Sequence, residues 1–444
     1  MGEARATALQ DLGGGVHLPR LRLPRVRPVA ASWRRAALPG LGVALLVLTV
    51  LKGLLTFPHD WVVGHFLLNY SEGFVKRGLV GTLLRPLLAG RPAPEVRAVV
   101  GGVALAGLLA LLALLAREVV RLLAPGRARA GLDAAAALCL ACSPALWHLG
   151  LALGYFESLV LLLGLLATPG GRLPLPRFVP LALLALLVHE MAALLLVPLL
   201  LLHPLTPQAG GAGLSRARAG VVLALLAGFV LVAWCVFHSP PPPALREQML
   251  AAGAATPYWA DAVHARLNDP FVGNLQRILH WPRIGNVWAS GLLVYTPAAW
   301  ALLALGLVRL WRAPLSRRAR LGWSVAYAAA SLASLAMVLI AYDFTRLFSL
   351  STLQAFLAYR VLVARLGPVE PRREGALLRT PAAPRTRPGR VALGGLVALA
   401  VVSGLLMPAR FTFMSPQPRY VPAAFDRPWV DPWGRLVGRL LPTG

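Results

Sequence analysis

Residues 181–202 read LALLALLVHEMAALLLVPLLLL. Apart from His189, Glu190 and Pro198 every side chain is apolar, over a length that suits a bilayer's need of ~20 residues. An ionisable group at the centre of such a stretch costs at least ~2.5–3.5 kcal/mol on insertion scales. It is retained where it faces a protein interior or a wet cavity. The same pattern recurs at Glu157, within ALGYFESLVLLL at 152–163, and at Asp343 and Arg346, within VLIAYDFTRLFSL at 338–350. These stretches predict an all-α, polytopic integral membrane bundle with a polar interior.

Composition agrees. The chain of 444 residues is 57% hydrophobic and only 14% charged, with a mean hydropathy of +0.67. A soluble protein carries about a quarter charged residues. The net charge of +27 resembles a nucleic-acid binder's, but its placement argues against that partner. Almost every basic residue is Arg, Lys52 and Lys76 being the exceptions, and they gather in short segments between apolar runs. There they act as topology signals, and some suit anionic lipid.

Ten apolar candidates follow: 37–57, 97–116, 132–148, 150–168, 178–202, 219–238, 291–311, 321–341, 345–364 and 391–407. The basic segments 1–35, 117–131, 216–218, 312–320 and 365–390 are assigned to the cytoplasm. Those two assignments conflict. With 117–131 and 216–218 both inside, an even number of crossings separates them, yet three candidates lie between. One is therefore broken or re-entrant. Pro144, Trp147 and His148 make 132–168 one suspect, and His189–Glu190 makes 178–202 the other. The expectation is about nine full crossings plus one broken segment, with the N-terminus inside and the C-terminus outside.

The domain plan is a basic, disordered cytoplasmic N-terminus (1–35), a transmembrane domain (36–407) with outer loops 58–96 and 239–290, and a non-cytoplasmic tail (408–444). Arg34–Arg35 precede a first apolar run without a convincing cleavage site, which reads as an uncleaved anchor. Cys139 and Cys142 form a CxxC inside an apolar run (AAAALCLACSPALW), where packing explains them better than redox or metal chemistry.

The chemistry-bearing segment is the first outer loop, FPHDWVVGHFLLNYSEGFVKRGLVGTLLRPLL at 57–88. Its apolar residues suit amphipathic helices at the interface, and Gly73, Gly78 and Gly81 permit close backbone approach. Asp60, Glu72, Lys76 and Arg77 are thereby held near head-group level. Arg77, Lys76 and Arg346 suit a lipid phosphate, with snorkelling as the structural alternative. Asp343 and Arg346, three apart, share a helix face and either neutralise each other or line the outer end of a cavity. Arg360, deeper in the same span, is explained by snorkelling. Glu157, after Gly154-Tyr155-Phe156 at an outer hairpin or helix break, is a second candidate carboxylate. His189–Glu190 lacks the second His of a zinc-protease motif, and a helix-pinning pair or a substrate-cavity group accounts for it better. In the 239–290 loop, Tyr258, Trp259 and Trp281 beside Arg266, Arg277 and Arg283 suit sugars or lipid head groups.

An acid just beyond the first span, in a long amphipathic outer loop, resembles the plan of GT-C glycosyltransferases. Asp60, in PHDWVVGHFLLNY, occupies the matching position. The resemblance implies transfer of a sugar from a polyprenyl-phosphate donor to a glycan or other envelope acceptor on the non-cytoplasmic face of a bacterial inner membrane. Asp60 would then serve as general base or orient the acceptor. Many members carry two adjacent acids there, whereas this chain has His59–Asp60. The block NYSEGFVKRGLVGTLL is also similar to a segment of a bacterial multispan family. No nucleotide motif appears and no cofactor is expected, a divalent cation being the one addition the chemistry would admit. The competing expectations are a lipid-linked polysaccharide polymerase or ligase, and a transporter that uses the same polar residues. A closed cytoplasmic half favours transfer, and a cavity open to both faces favours transport.

Overall fold

The computed structural model describes residues 30–53, 60–71, 73–124, 131–151, 153–203, 216–238, 241–251, 260–261, 291–339, 344–366 and 387–406. All regular structure among them is helical. The elements are α1 (Ala30–Gly53), α2 (Asp60–Leu67), α3 (Gly78–Leu88), α4 (Ala93–Leu123), α5 (Leu132–Ala141), α6 (Pro144–Leu151) and α7 (Glu157–Ala167). Next come α8 (Leu175–Val188), α9 (Ala192–Leu195, prolonged by a 3-10 turn over Val197–Leu202), α10 (Arg216–His238) and α11 (Leu245–Ala251). The last are α12 (Pro297–Arg312), α13 (Arg317–Leu332), α14 (Phe344–Leu366) and α15 (Arg387–Leu406). Every predicted apolar stretch is mainly helical where it is described. The N-terminus to residue 29, the tail from 407 and most of 239–290 lie outside the described residues.

Three helical segments are long and apolar enough to cross a membrane: Ala93–Leu123, Leu132–Leu151 and Arg346–Leu366. Burial ranks them. The most apolar window is 94% buried in α14 and 39% buried in α4, so α14 is the bundle's centre and α4 its edge. The middle one is α5 and α6 in series. Pro144 stops α5 from continuing, and Ser143 Oγ accepts the Ala145 amide at 3.0 Å. Thr49 of α1 donates to the carbonyl of Ala141 at 2.8 Å, so this interruption does not leave that oxygen orphaned in the core.

Two ends of the bundle are defined by Arg346 and Arg360, about 21 Å apart along α14 at 1.5 Å per residue. α7 runs parallel to α14. Glu157 meets Arg346 at one end, Gly164 packs beside Leu357 midway, and Thr168 meets Arg360 at the other. α8 starts near the Arg360 end, just after the Gly170–Gly171 turn that touches Arg121 and Arg360, and climbs beside α7. It stops at His189, whose backbone is extended. The chain then descends: the carbonyl of Leu194 accepts from Gln354 Nε2 at 2.6 Å, and Leu196 packs on Gly164. Residues 175–202 therefore form a hairpin with its tip at His189–Glu190. Of the two suspect stretches, this is the one that doubles back. His189 caps the reversal itself, its Nδ1 accepting the Met191 amide at 3.0 Å and its carbonyl accepting the Ala192 amide at 3.0 Å.

Candidate functional site

At the Arg346 end the chain builds a small cavity lined by His148, Tyr155, Glu157, Ser158, Arg346 and Leu350, with Leu149 behind. Gly154, at φ 92°, turns the chain between α6 and α7 in a conformation that suits glycine, and so delivers Tyr155 and Glu157 to one place. Glu157 opens α7, where the helix dipole favours a carboxylate. Its Oε1 stands 3.2 Å from Arg346 Nη1, and the guanidinium lies 4.3 Å over the Tyr155 ring. The Glu157 side chain is 3% exposed and that of Arg346 is 15% exposed, so the cation is the half of the pair that solvent or a ligand reaches. The cavity is small, about 10 Å³, which is room for roughly one water molecule.

A second cluster sits beside the first. Arg77 grips the hairpin tip with both arms, Nε donating to Glu190 Oε2 at 2.9 Å and Nη2 to Oε1. Its Nη1 donates to His65 Nε2 at 2.8 Å. His65 Nδ1 lies 2.8 Å from the carbonyl of Trp61, which fixes the tautomer: Nδ1 carries the proton and Nε2 accepts. Burial first, and then the Arg77 guanidinium, hold the His65 imidazole well below its ordinary range. Arg77 is the one non-glycine residue with positive φ (65°) among the described residues. Such a conformation costs roughly 1–3 kcal/mol, which the three guanidinium contacts offset. Gly81 completes the mount. A side chain there would strike the backbone of Leu68, so glycine lets α3 press directly on the end of α2.

Phe156 joins the clusters, touching His65 and Phe66 of α2 at ring-centroid distances of 6.4 and 4.9 Å. His189 lies within electrostatic reach of Glu157 and Arg346 as well as Glu190 and Arg77. Six of the predicted site residues are thus described with their side chains. Glu157, Arg346, Arg77, His189 and Glu190 gather at one end, and Lys76 is buried next to Arg77. Asp60 is described only as the first residue of α2, and Glu72 and Asp343 lie outside the described residues. Arg346 pairs with Glu157 of α7; Asp343, the neighbour expected on its own helix face, lies outside the described residues.

The Arg360 end is built differently. Asp133 Oδ1 accepts from Arg309 Nη1 at 2.6 Å and from the Tyr359 hydroxyl at 2.7 Å, with both charged side chains at most 3% exposed. Arg360 Nη2 meets Glu118 Oε1 at 2.9 Å and also donates to the Thr168 carbonyl at 3.2 Å. Arg360 is therefore a buried, paired residue and does not snorkel as expected: Glu118 supplies the countercharge that solvent would otherwise provide. Sequence reasoning passed over Glu118, Asp133 and Arg309. The missed signal was an acid one turn inside each of two apolar helices, α4 and α5, beside arginines that had been assigned to topology alone.

Cys139 and Cys142 are buried and reduced. Among the described residues no three His, Cys, Asp or Glu side chains converge as a metal site. In comparisons with known proteins the chain matches no protein-family model, no curated protein and no solved structure.

Proposed function

We propose that this chain is a GT-C-like integral membrane glycosyltransferase of the bacterial inner membrane. It would move a sugar from a polyprenyl-phosphate donor to a glycan or other envelope acceptor on the non-cytoplasmic face. The arginine-rich Arg360 end, with Arg117, Arg121, Arg312 and Arg317 nearby in the chain, is the cytoplasmic side by the positive-inside rule. The Arg346 end then faces outward. Counting 175–202 as a re-entrant hairpin leaves about nine crossings, formed by α1, α4, α5–α6, α7, α10, α12, α13, α14 and α15. That count resolves the parity conflict and puts the C-terminus outside.

One observation carries this proposal: the single-point Glu157–Arg346 pair and its cavity lie at one end of the bundle, while the buried Asp133–Arg309 and Glu118–Arg360 pairs lie at the other. Transfer needs a cation for the departing phosphate and a carboxylate for the acceptor hydroxyl, on one face of the membrane. Arg346 supplies the cation. Glu157 in the cavity and Asp60, at the start of the helix that packs on Phe156, supply the carboxylates. Arg77 and Lys76 add positive charge beside them. The transporter alternative draws support from the broken hairpin, but its tip lies at the Arg346 end rather than midway along the bundle.

The test is sugar transfer in vesicles reconstituted with the full chain and a labelled polyprenyl-phosphate sugar. Removal of a catalytic base slows transfer roughly 10²–10⁴-fold. Asp60→Asn and Glu157→Gln are both expected to lose transfer while still inserting. Full activity in both variants would sink the proposal.

A further inference from the structure

The ion pair in the cavity poses a chemical problem. A carboxylate that already neutralises an arginine is a poor base, and an arginine that already holds a carboxylate is a poor phosphate site. The other buried pairs show what a permanent pair looks like here. Glu190 is gripped by two nitrogens of Arg77, and Asp133 takes Arg309 at 2.6 Å together with the Tyr359 hydroxyl at 2.7 Å. Glu157 and Arg346 approach through one oxygen at 3.2 Å; the guanidinium is 15% exposed, between the 2% of Arg309 and the 21% of Arg77, so the single-point contact rather than exposure sets this pair apart. The Tyr155 face gives Arg346 a second, uncharged support that survives loss of the carboxylate.

We infer that Glu157 is a placeholder that an incoming phosphate displaces, so that donor binding itself unmasks the base. This rests on the glycosyltransferase proposal and assigns roles within that site. A phosphate monoester or diester has the charge and the paired oxygens that a guanidinium prefers, and takes Arg346 while Tyr155 keeps the guanidinium plane in place. The carboxylate of Glu157, no longer neutralised, turns to the acceptor. It removes the proton of the acceptor hydroxyl as that oxygen attacks the anomeric carbon. The bond from that carbon to the phosphate oxygen breaks, and its electron pair leaves with the polyprenyl phosphate held by Arg346. The anomeric configuration inverts, and the proton rests on Glu157 until solvent at the outer end accepts it. Without a donor the two groups quench each other.

The competition gives a result opposite to that of an ordinary binding residue. Removing the charge of Glu157 should tighten donor binding while abolishing transfer. The measurement is binding of a polyprenyl monophosphate to the full chain in lipid nanodiscs, beside the same polyprenol without phosphate and beside inorganic phosphate. Glu157→Gln is expected to bind the lipid phosphate about tenfold tighter than the native chain, the equivalent of ~1.4 kcal/mol, and to transfer sugar at least about a hundredfold more slowly. Arg346→Ala is expected to lose the preference for lipid phosphate over polyprenol. Should Glu157→Gln fail to insert, Glu157→Asp, which draws the carboxylate back by one methylene, is expected to tighten binding in the same direction by a smaller factor. Unchanged or weaker binding in the Glu157 variants, with Arg346→Ala still losing its preference, would overturn the placeholder and leave the phosphate site standing. Native-like binding in Arg346→Ala, or equal affinity for inorganic phosphate, would overturn the donor site itself.

Discussion

The two ends of the bundle use the same chemistry to different effect. At the Arg360 end, carboxylate and guanidinium are excluded from solvent, packed against hydroxyls and held by several elements at once. At the Arg346 end the Glu157 pair is longer, single-pointed and partly reachable. A buried pair gives weak net stability, but losing one partner strands a charge. A pair left partly open can exchange partners. Charge in an apolar helix therefore does not by itself mark a site. What separates a lock from a site is how many contacts hold the carboxylate: Arg77 is more exposed than Arg346, yet it grips Glu190 with two nitrogens.

The sharpest way to break this contrast is at the lock. Arg309→Leu strands Asp133 in the core and is expected to cost ~3–5 kcal/mol, read as a large loss of thermal stability in detergent. Adding Asp133→Leu should recover most of it, and no recovery would mean that the pair is not what closes this end. Arg346→Ala and Arg360→Ala test the two ends directly. The first is expected to weaken donor binding at least about tenfold, with a loss of stability because buried Glu157 is left without its countercharge, and the second to lower stability with donor affinity per folded molecule preserved. Equal effects on binding would erase the distinction. The smallest effect concerns His65, which faces Arg77, Glu190 and His189. Its folded imidazole is held neutral below its ordinary range, so the unfolded chain takes up the proton first. Stability is then fully present above about pH 6.5 and declines as the pH falls from there towards the folded value, by up to ~1.4 kcal/mol per unit. His65→Gln, which keeps an acceptor for Arg77 without titrating, should flatten that part of a stability profile measured between pH 8 and 5.

Much of the plan was legible before any coordinates. Apolar runs mark helices because each must bury its own backbone hydrogen bonds in a bilayer. The parity of arginine segments pointed to one incomplete crossing among two stretches, and His189–Glu190 lies at the tip of a hairpin formed by one of them. Glu157 was recognisable from Gly154, which the turn before α7 requires. Partners were not legible. Arg346 invited pairing with Asp343 because neighbours on a helix turn are all that periodicity reveals. Asp343 lies outside the described residues, whereas Glu157, which meets Arg346, belongs to α7, and Asp133 finds Arg309 across 176 residues. A single helix discloses which of its faces is polar, but the identity of the opposing helix is a property of the packed bundle.

The hairpin at 175–202 also sets an order of events during synthesis. Its return limb is held by Gln354, 160 residues further along, and its tip by Arg77, 113 residues earlier. The tip can be clasped as soon as it emerges, whereas the descending limb must wait until most of the chain has been made. Ribosome-bound intermediates ending before residue 354 would carry an unfinished limb, and a protease acting from the cytoplasmic side should find 192–202 exposed in them and shielded in the finished protein.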